Sequence, residues 1–144
     1  MLKGGKPLEI MITHKELEAL NPCEKGLIFT RQYTTLQEAW NNCHRSDWMW
    51  WFLQKFNGCP KKLSIQYSQL CADHVSHLRD SKNAAASAYA TAASTYATDA
   101  AVDAFAAAHT ADAAAYATAY AAKSAYAAER KWQADQLRIL VPTL

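Results

Sequence analysis

The stretch that decides the fold lies at residues 84–128, which read AAASAYATAASTYATDAAVDAFAAAHTADAAAYATAYAAKSAYAA. Alanine fills more than half of these positions, and it has the highest intrinsic helix propensity of all residues. Neither glycine nor proline interrupts the chain between Lys61 and Val141. The pattern therefore predicts an all-α protein, a small helical bundle with a long alanine-rich helical element.

One unbroken helix does not suit this element. From Asn83 to Leu140 it would be more than about 80 Å long at roughly 1.5 Å per residue, which exceeds the diameter of a domain of this size. Two aromatic stripes also differ in phase, one with Tyr89 and Tyr96 and the other with Phe105, Tyr116 and Tyr120. We predict a folded-back helix pair with a break or kink at one of four residues that favour helix ends, Thr98, Asp99, Thr110 and Asp112.

The length of 144 residues suits one domain, because a chain of this size buries a single core. Within 1–144 we distinguish an aromatic-rich helical half at 8–80 and an alanine-rich helical half at 81–141. Large apolar residues return at the end of the second half. The polar segment with one tryptophan at 129–133 comes first, and it is followed by Leu137, Ile139, Leu140 and Val141. We expect this end to dock on the aromatic-rich half.

Local signals divide the first half into short helices. Alternation of Leu8, Ile10 and Ile12 allows a short N-terminal strand. Thr13 and Glu16 have the spacing of a capping box, in which each side chain satisfies an unpaired amide at the start of a helix. Pro22 marks the end of that helix. Thr35 with Glu38, and Ser46 as a helix cap, mark the starts of two further helices. Gly58 and Pro60 mark the end of the second of these.

Charge and apolar runs exclude several classes of function. The 15 Lys and Arg residues against 13 Asp and Glu give a formal net charge of +2, which argues against a nucleic-acid binder and against an acidic mimic of DNA. The longest uncharged run, 83–98, is short for a bilayer span and contains polar residues. We therefore expect no membrane partner.

The cysteine count and the N-terminal residues bear on the compartment. Residues 1–12 contain too few consecutive apolar residues for a signal peptide. Without export, the four cysteines are expected to be reduced and mostly buried rather than joined in disulfides: Cys23, Cys43, Cys59 and Cys71. The sequence thus predicts a cytoplasmic protein.

The densest functional signal is a cluster of aromatic residues, which comprises Trp40, Trp48, Trp50, Trp51, Phe52 and Phe56. The cluster has two interpretations, a hydrophobic core or a recognition surface, since Trp and Arg are favoured at interface hot spots. Consecutive residues cannot share one helix face, so at least one of Trp48, Trp50 and Trp51 should lie near the surface. Arg45 and Asp47 either pair with polar groups beneath the tryptophans or form the exposed centre of a binding site.

Signals for chemistry are weak. Cys71, His74 and His77 follow at steps of three on a predicted helix, but no second Cys or His pair has zinc-site spacing. The chain has no nucleophile elbow, phosphate-binding glycine loop or HExxH motif. We therefore predict no catalytic residue, no metal ligand, no cofactor and no enzymatic activity.

Three segments together resemble the immunity-protein-five-like family. They are Ala39-Trp40-x-x-Cys43-x-Arg45-x-Asp47-Trp48-x-x-Trp51, the alanine-rich helical region, and Glu129-Arg130-x-Trp132-Gln133 with Leu137. Members of this family are found in bacterial polymorphic-toxin loci and in phage genomes. The resemblance implies an all-helical protein that binds and neutralises a toxin.

These observations lead to a predicted inhibitor. We expect a helical immunity or anti-defence protein that occludes a toxin or a host defence protein, with a partner-binding site at Arg45, Asp47, Trp48, Trp51 and Trp40. Two alternatives stay open at this point. One is a structural protein that self-associates into a homo-oligomer through its alanine faces, and the other is a small-molecule or nucleotide binder that uses the tryptophan-rich motif.

Overall fold

A computed structural model describes residues 13–57, 60–100 and 104–144 and confirms the all-α helical bundle. Within these residues there are eight α-helices and one 3₁₀ helix. The helices are α1 (His14–Ala19), α2 (Glu24–Arg31), α3 (Leu36–Asn42), α4 (Ser46–Asn57), α5 (Lys61–His74), the 3₁₀ helix (Ser76–Asp80), α6 (Ala84–Asp99), α7 (Ala104–Ala121) and α8 (Ala125–Leu140). In this part of the chain, no helix combines the length and the apolar content of a membrane span.

The predicted helix starts are largely confirmed. The Thr13 hydroxyl accepts a hydrogen bond from the Glu16 amide at 3.2 Å, and Glu16 accepts one from the Thr13 amide at 3.3 Å, so the capping box is complete. Asn21, at a φ of 58°, takes the left-handed conformation between the end of α1 and Pro22. The predicted strand at Leu8 to Ile12 lies outside the described residues.

Ser46 does not act as the predicted cap. It is the first residue of α4, and it is fully buried. Its hydroxyl donates to Gln133 Oε1 at 2.7 Å and accepts from Arg130 Nη1 at 3.2 Å, both on α8. Long-range hydrogen bonds therefore take the place of the local one, because α8 brings two polar side chains against the start of α4.

The alanine-rich half contains the predicted folded-back pair, α6 and α7, and a third helix, α8, beyond that pair. The first break follows Asp99, one of the four predicted positions, whereas Thr110 and Asp112 lie inside α7. A second break, at 122–124, has no glycine or proline to signal it. This turn lets α8 run back along α7, so tertiary packing decides it rather than local propensity.

Helices α6 and α7 form an antiparallel hairpin with an interface of small side chains. The alanines that are fully or almost fully buried in these two helices and at their ends are Ala86, Ala90, Ala93, Ala100, Ala106, Ala107, Ala111, Ala113, Ala114, Ala115 and Ala117. Side chains that end at Cβ let helix backbones approach closely. At one end, Asn83 caps α6 and donates from Nδ2 to the Tyr120 carbonyl at 2.9 Å, which fixes the register of the hairpin.

Helix α7 is the centre of the bundle. It contacts α6, α5, α8 and α4. The bulky part of the core lies on its α4, α5 and α8 side, where Trp50, Leu53, Tyr67 and Leu137 are almost completely buried. Trp50 and Tyr67 stack with their ring centroids 4.8 Å apart. The two predicted halves therefore share one core, since α7 belongs to the alanine-rich half and α4 to the aromatic-rich half.

Helix α8 and the residues after it dock on the aromatic-rich half, as predicted. Trp40 Nε1 donates to the Val141 carbonyl at 2.9 Å. Arg138 Nη1 donates to the carbonyls of Trp40 and Cys43, at 2.9 and 2.6 Å. Gln37 bonds the backbone of the last residues at the Pro142 carbonyl and the Leu144 amide. These contacts attach α3 to the end of α8. Ile139 faces outward instead and is 71% exposed.

A polar network crosses the buried side of α8. Arg130, almost fully buried, donates to Asp112 on α7 at 2.5 Å and to Ser46 on α4 at 3.2 Å. Gln133, also buried, accepts from Ser46 and donates to the Ala111 carbonyl at 2.9 Å. Burial would lower the pKa of Arg130, but the hydrogen bonds to Asp112 and Tyr126 outweigh it and raise the pKa above its ordinary value. The guanidinium therefore stays charged in the core.

We predict that Arg130→Ala lowers the free energy of unfolding by about 2–4 kcal/mol, because it leaves polar groups on α4 and α7 without their charged donor. Urea unfolding followed by circular dichroism measures the change. The neighbouring Lys131→Ala is the matched control, since Lys131 forms an exposed ion pair with Asp135 and should lose less than about 1 kcal/mol. Equal effects of the two substitutions would contradict a structural role for the network.

Candidate functional site

The tryptophan-rich motif spans the end of α3, the link at 43–45 and the first turns of α4. Because Trp48, Trp50 and Trp51 are nearly consecutive on α4, they point in different directions. Trp50 is buried against Tyr67, whereas Trp48 and Trp51 are half-buried. The expectation that at least one of the three lies near the surface is therefore confirmed.

Trp40 lies deeper than the other residues of the predicted partner site. It is almost completely buried, and its indole N–H is satisfied by the Val141 carbonyl. The ring thus forms an inner wall beneath the surface that Trp48 and Trp51 reach. A direct contact between Trp40 and a partner would need the partner to enter the cavity described below.

Arg45 and Asp47 bind each other. Arg45 Nε and Nη2 donate to the two carboxylate oxygens at 2.9 and 2.7 Å. The guanidinium also lies over the Trp48 ring, 4.2 Å from its centroid, in a cation–π arrangement. The Arg45 side chain is 48% exposed. The pair therefore forms a polar rim on the tryptophan surface in which the two charges cancel.

The ion pair sets the charge state of Asp47. Partial burial alone would raise the pKa of this carboxyl, but the hydrogen bond from Arg45 and the charges of Arg130 and Arg45 outweigh burial, so the pKa lies below its ordinary value. The hydrogen bond to Asp47 likewise raises the pKa of Arg45. Both groups are charged at neutral pH.

An open cavity of about 290 Å³ lies beside Trp48 and Trp51. Its lining comes from α1 to α4 and the last residue of the chain: Leu17, Pro22, Cys23, Gly26, Phe29, Thr30, Leu36, Ala39, Trp40, Cys43, Asp47, Trp48, Met49, Trp51, Phe52 and Leu144. Among the described side chains of this lining, Asp47 is the one that carries a charge, and Arg45 already pairs with it. The cavity is therefore an apolar pocket with a neutral polar edge.

Gly26 shapes the wall of this pocket. A Cβ at this position would lie 3.3 Å from Cys23 Sγ and 3.8 Å from the Trp48 ring. The first contact is tight, whereas the second is an ordinary van der Waals distance, so Gly26 leaves room for the Cys23 thiol. Beside it, Phe29 of α2 packs on Trp48 of α4 with ring centroids 5.9 Å apart. Sequence reasoning identified the α4 side of the pocket but missed α1, α2 and Leu144. The one sequence signal for the α2 side of the pocket was a glycine, Gly26, within a short apolar segment.

A second polar cluster lies at the residues considered for metal binding. His74 Nδ1 is 2.9 Å from Glu129 Oε1, and the imidazole stacks on Trp132 at 3.5 Å. Burial raises the pKa of Glu129, while the charges and hydrogen bonds around it act in the opposite direction. Burial and the Glu129 charge also raise the pKa of Cys71, so this thiol stays protonated. Among the described residues, no three His, Cys, Asp or Glu side chains are grouped so that they could hold a metal ion.

The thiols of the described residues are free. Cys43 and Cys71 are buried, whereas Cys23 is exposed at the mouth of the pocket. Cys59 lies outside the described residues. Burial raises the pKa of Cys43, which lowers its reactivity as a nucleophile.

Comparison of the chain with protein-family models, with curated proteins and with solved structures gives no match. The resemblance to the immunity-protein-five-like family thus depends only on the residues quoted for it.

We predict that Asp47→Asn lowers stability at neutral pH by less than about 1 kcal/mol, because the ion pair is partly exposed. A carboxyl whose pKa is lowered by folding stabilises the protein above its unfolded pKa, and this contribution is lost as the pH falls through the folded pKa. The difference between wild type and variant should therefore disappear between about pH 5 and pH 2. Urea unfolding at several pH values tests this.

Asp73→Asn controls for the loss of a surface charge, since Asp73 is an exposed carboxylate that accepts from Gln69. If the Asp47→Asn difference stayed constant as the pH fell, the ion pair would have no part in stability.

Proposed function

We propose that this chain is a non-catalytic, cytoplasmic binding protein that neutralises a protein partner, and that the pocket beside Trp48 and Trp51 receives an apolar side chain of that partner. One observation carries the proposal. An open apolar pocket, with aromatic walls and an arginine at its rim, has the composition of interface hot spots, in which an anchor residue fills a desolvated cavity.

The size of the pocket suits one large side chain. Ligand pockets usually have volumes of about 300–1,000 Å³, and this one, at about 290 Å³, is at the lower end of that range. It has room for a leucine, methionine or phenylalanine side chain. The half-exposed rings of Trp48 and Trp51 would then cover the neighbouring surface of the partner, and Arg45 with Asp47 would contact its polar rim.

The nature of the partner comes from the family resemblance. A toxin or a host defence protein fits a small inhibitor from a toxin locus or a phage genome. Four of the residues that carry the resemblance, Arg45, Asp47, Trp48 and Trp51, lie at or beside the pocket. The residues of the resemblance on α8, such as Arg130 and Gln133, lie in the buried network instead. The first segment of the sequence pattern thus supports the same surface as the geometry.

Both alternatives from the sequence lose support at specific contacts. A nucleotide site needs a cation for phosphate, and the Arg45 guanidinium is already bound by two oxygens of Asp47. Self-assembly through alanine faces needs those faces outside, whereas the alanines of α6 and α7 are largely buried within one chain.

The test is a quantitative affinity pull-down with four versions of the full chain: wild type, Arg45→Ala with Asp47→Ala, the pocket-filling Ala39→Leu, and the control Gln69→Ala with Asp73→Ala. The control removes an exposed hydrogen-bonded pair on α5. The affinity tag belongs at the N-terminus, because Leu144 lines the pocket. Circular dichroism establishes that each variant is folded.

We expect the wild type and the control to bind one partner stoichiometrically. Both site variants should bind it with an affinity at least about tenfold lower (about 1.4 kcal/mol). The activity of the partner should fall when one equivalent of the chain is added. Capture of no stoichiometric partner, equal retention by the site variants, or a bound partner with undiminished activity would each reject the proposal.

A second candidate, the binding of a small apolar molecule, is favoured by the apolar lining of the same pocket. It predicts that an aromatic fragment such as indole raises the melting temperature of the wild type, with a stabilisation of about 2.7 kcal/mol at a hundredfold excess over Kd. Ala39→Leu should abolish the shift. Equal shifts in both proteins would exclude this pocket as the binding site.

A further inference from the structure

The outward side of α7 carries a stripe of aromatic rings. Phe105, His109, Tyr116 and Tyr120 follow at steps of four, seven and four residues, which keeps them within about 60° around a helix of 3.6 residues per turn. Phe105 is 66% exposed, Tyr120 50% and Tyr116 44%. These four residues are called the α7 stripe below.

The remainder of α7 is covered by its own bundle. Its other sides present buried alanines and the buried Thr110 to α6, α5 and α8. A helix that is apolar all round is ordinarily buried all round, and the α7 stripe is the side on which this helix departs from that rule. Large exposed apolar surfaces commonly mark sites of association.

The α7 stripe is also free of net charge. Asp112 is the only Asp, Glu, Lys or Arg in α7, and Arg130 pairs with it at 2.5 Å. Two identical surfaces that each carry a net charge repel each other, whereas two identical surfaces without net charge do not. The chemistry of the stripe is therefore compatible with a second copy of itself.

The spacing of the rings matches a second copy in particular. Steps of four, seven and four read the same in both directions, with the centre between Asp112 and Ala113. In an antiparallel pair, Phe105 would meet Tyr120 of the second copy, and His109 would meet Tyr116. Such a two-fold arrangement is isologous, the commonest form of protein dimer.

We propose that the α7 stripe is the interface of a homodimer in which two copies of α7 pack antiparallel about a two-fold axis beside Asp112. The rings are partly ordered before contact, because Tyr89 on α6 lies 5.3 Å from Tyr116 and stacks on Tyr120 at 5.5 Å. Ordered side chains lose less conformational entropy on association.

The area of the stripe sets the strength of the dimer. An aromatic side chain buries about 150–250 Å² when fully covered, so four partly exposed rings supply on the order of 400 Å² per copy. A stable interface of standard size buries about 800 Å² per partner. The dimer should therefore be weak and reversible, populated in the micromolar to millimolar range.

Sedimentation velocity of the full chain over a range of concentrations tests the dimer. Phe105→Asp and Tyr120→Lys should each weaken dimerisation at least tenfold, since each places a new charge against an aromatic ring of the second copy. An equimolar mixture of the two variants should recover dimerisation, because the antiparallel register pairs aspartate with lysine. Ile139→Asp, at an equally exposed apolar residue on α8, should leave dimerisation unchanged.

The reciprocal mixture of Phe105→Lys with Tyr120→Asp should behave in the same way, and circular dichroism checks the fold of each variant, since Tyr120 also touches Tyr89. A wild type that stays monomeric to millimolar concentration overturns the proposal. The proposal is also overturned if both charge variants still dimerise like the wild type, or if the mixture of variants does not recover dimerisation. Binding of the α7 stripe only to a different protein would overturn it too. The pocket lies on other helices, so the loss of either proposal leaves the other standing.

Discussion

A buried guanidinium constrains the arrangement of three helices. Arg130 can remain in the core only where Asp112 and Ser46 lie within hydrogen-bond distance, because an unpaired buried charge is strongly destabilising. Those partners belong to α7 and α4, so the network selects one register of α8 against both. The position of α8 then places Val141 and Arg138 against α3, and α3 forms the inner wall of the pocket. The geometry of the candidate site thus depends on a charge in another part of the bundle.

The ionisable side chains near this network are either protonated or paired with another side chain. Burial raises the pKa of Tyr67, whose hydroxyl lies in the core. Burial also raises the pKa of Cys71 and Glu129. These neutral or paired groups suit a scaffold, since a reactive thiol needs a depressed pKa.

The sequence predicted those parts of the fold that local chemistry controls. The capping box at Thr13, the stop at Pro22 and the break after Asp99, one of the four predicted positions, all follow from residues within one turn of the helix end concerned. The turn at 122–124 and the role of Ser46 could not be predicted in this way, because distant residues on α7 and α8 determine both.

The candidate site likewise has one part that the local sequence predicts and one part that only tertiary contacts bring together. The motif around Arg45 and Trp48 was visible because tryptophan and arginine are rare together and close in sequence. The opposite wall, from Leu17, Phe29 and Leu144, consists of ordinary apolar residues from three separate segments. Nothing in their local pattern indicates that they meet, so only the folded chain shows the cavity.

The two kinds of packing in this bundle give opposite mutational tolerance. Around Trp50 and Leu53, a smaller residue leaves a cavity, and truncation is the costly change. At the buried centre of the α6–α7 interface the side chains are already the methyl groups of alanine, so there is little to remove, whereas each added carbon must separate two closely packed backbones. Descendants of this chain should therefore vary their tryptophan-side core among large residues while they keep the hairpin interface small, and serine or glycine should replace its alanines more readily than valine or leucine.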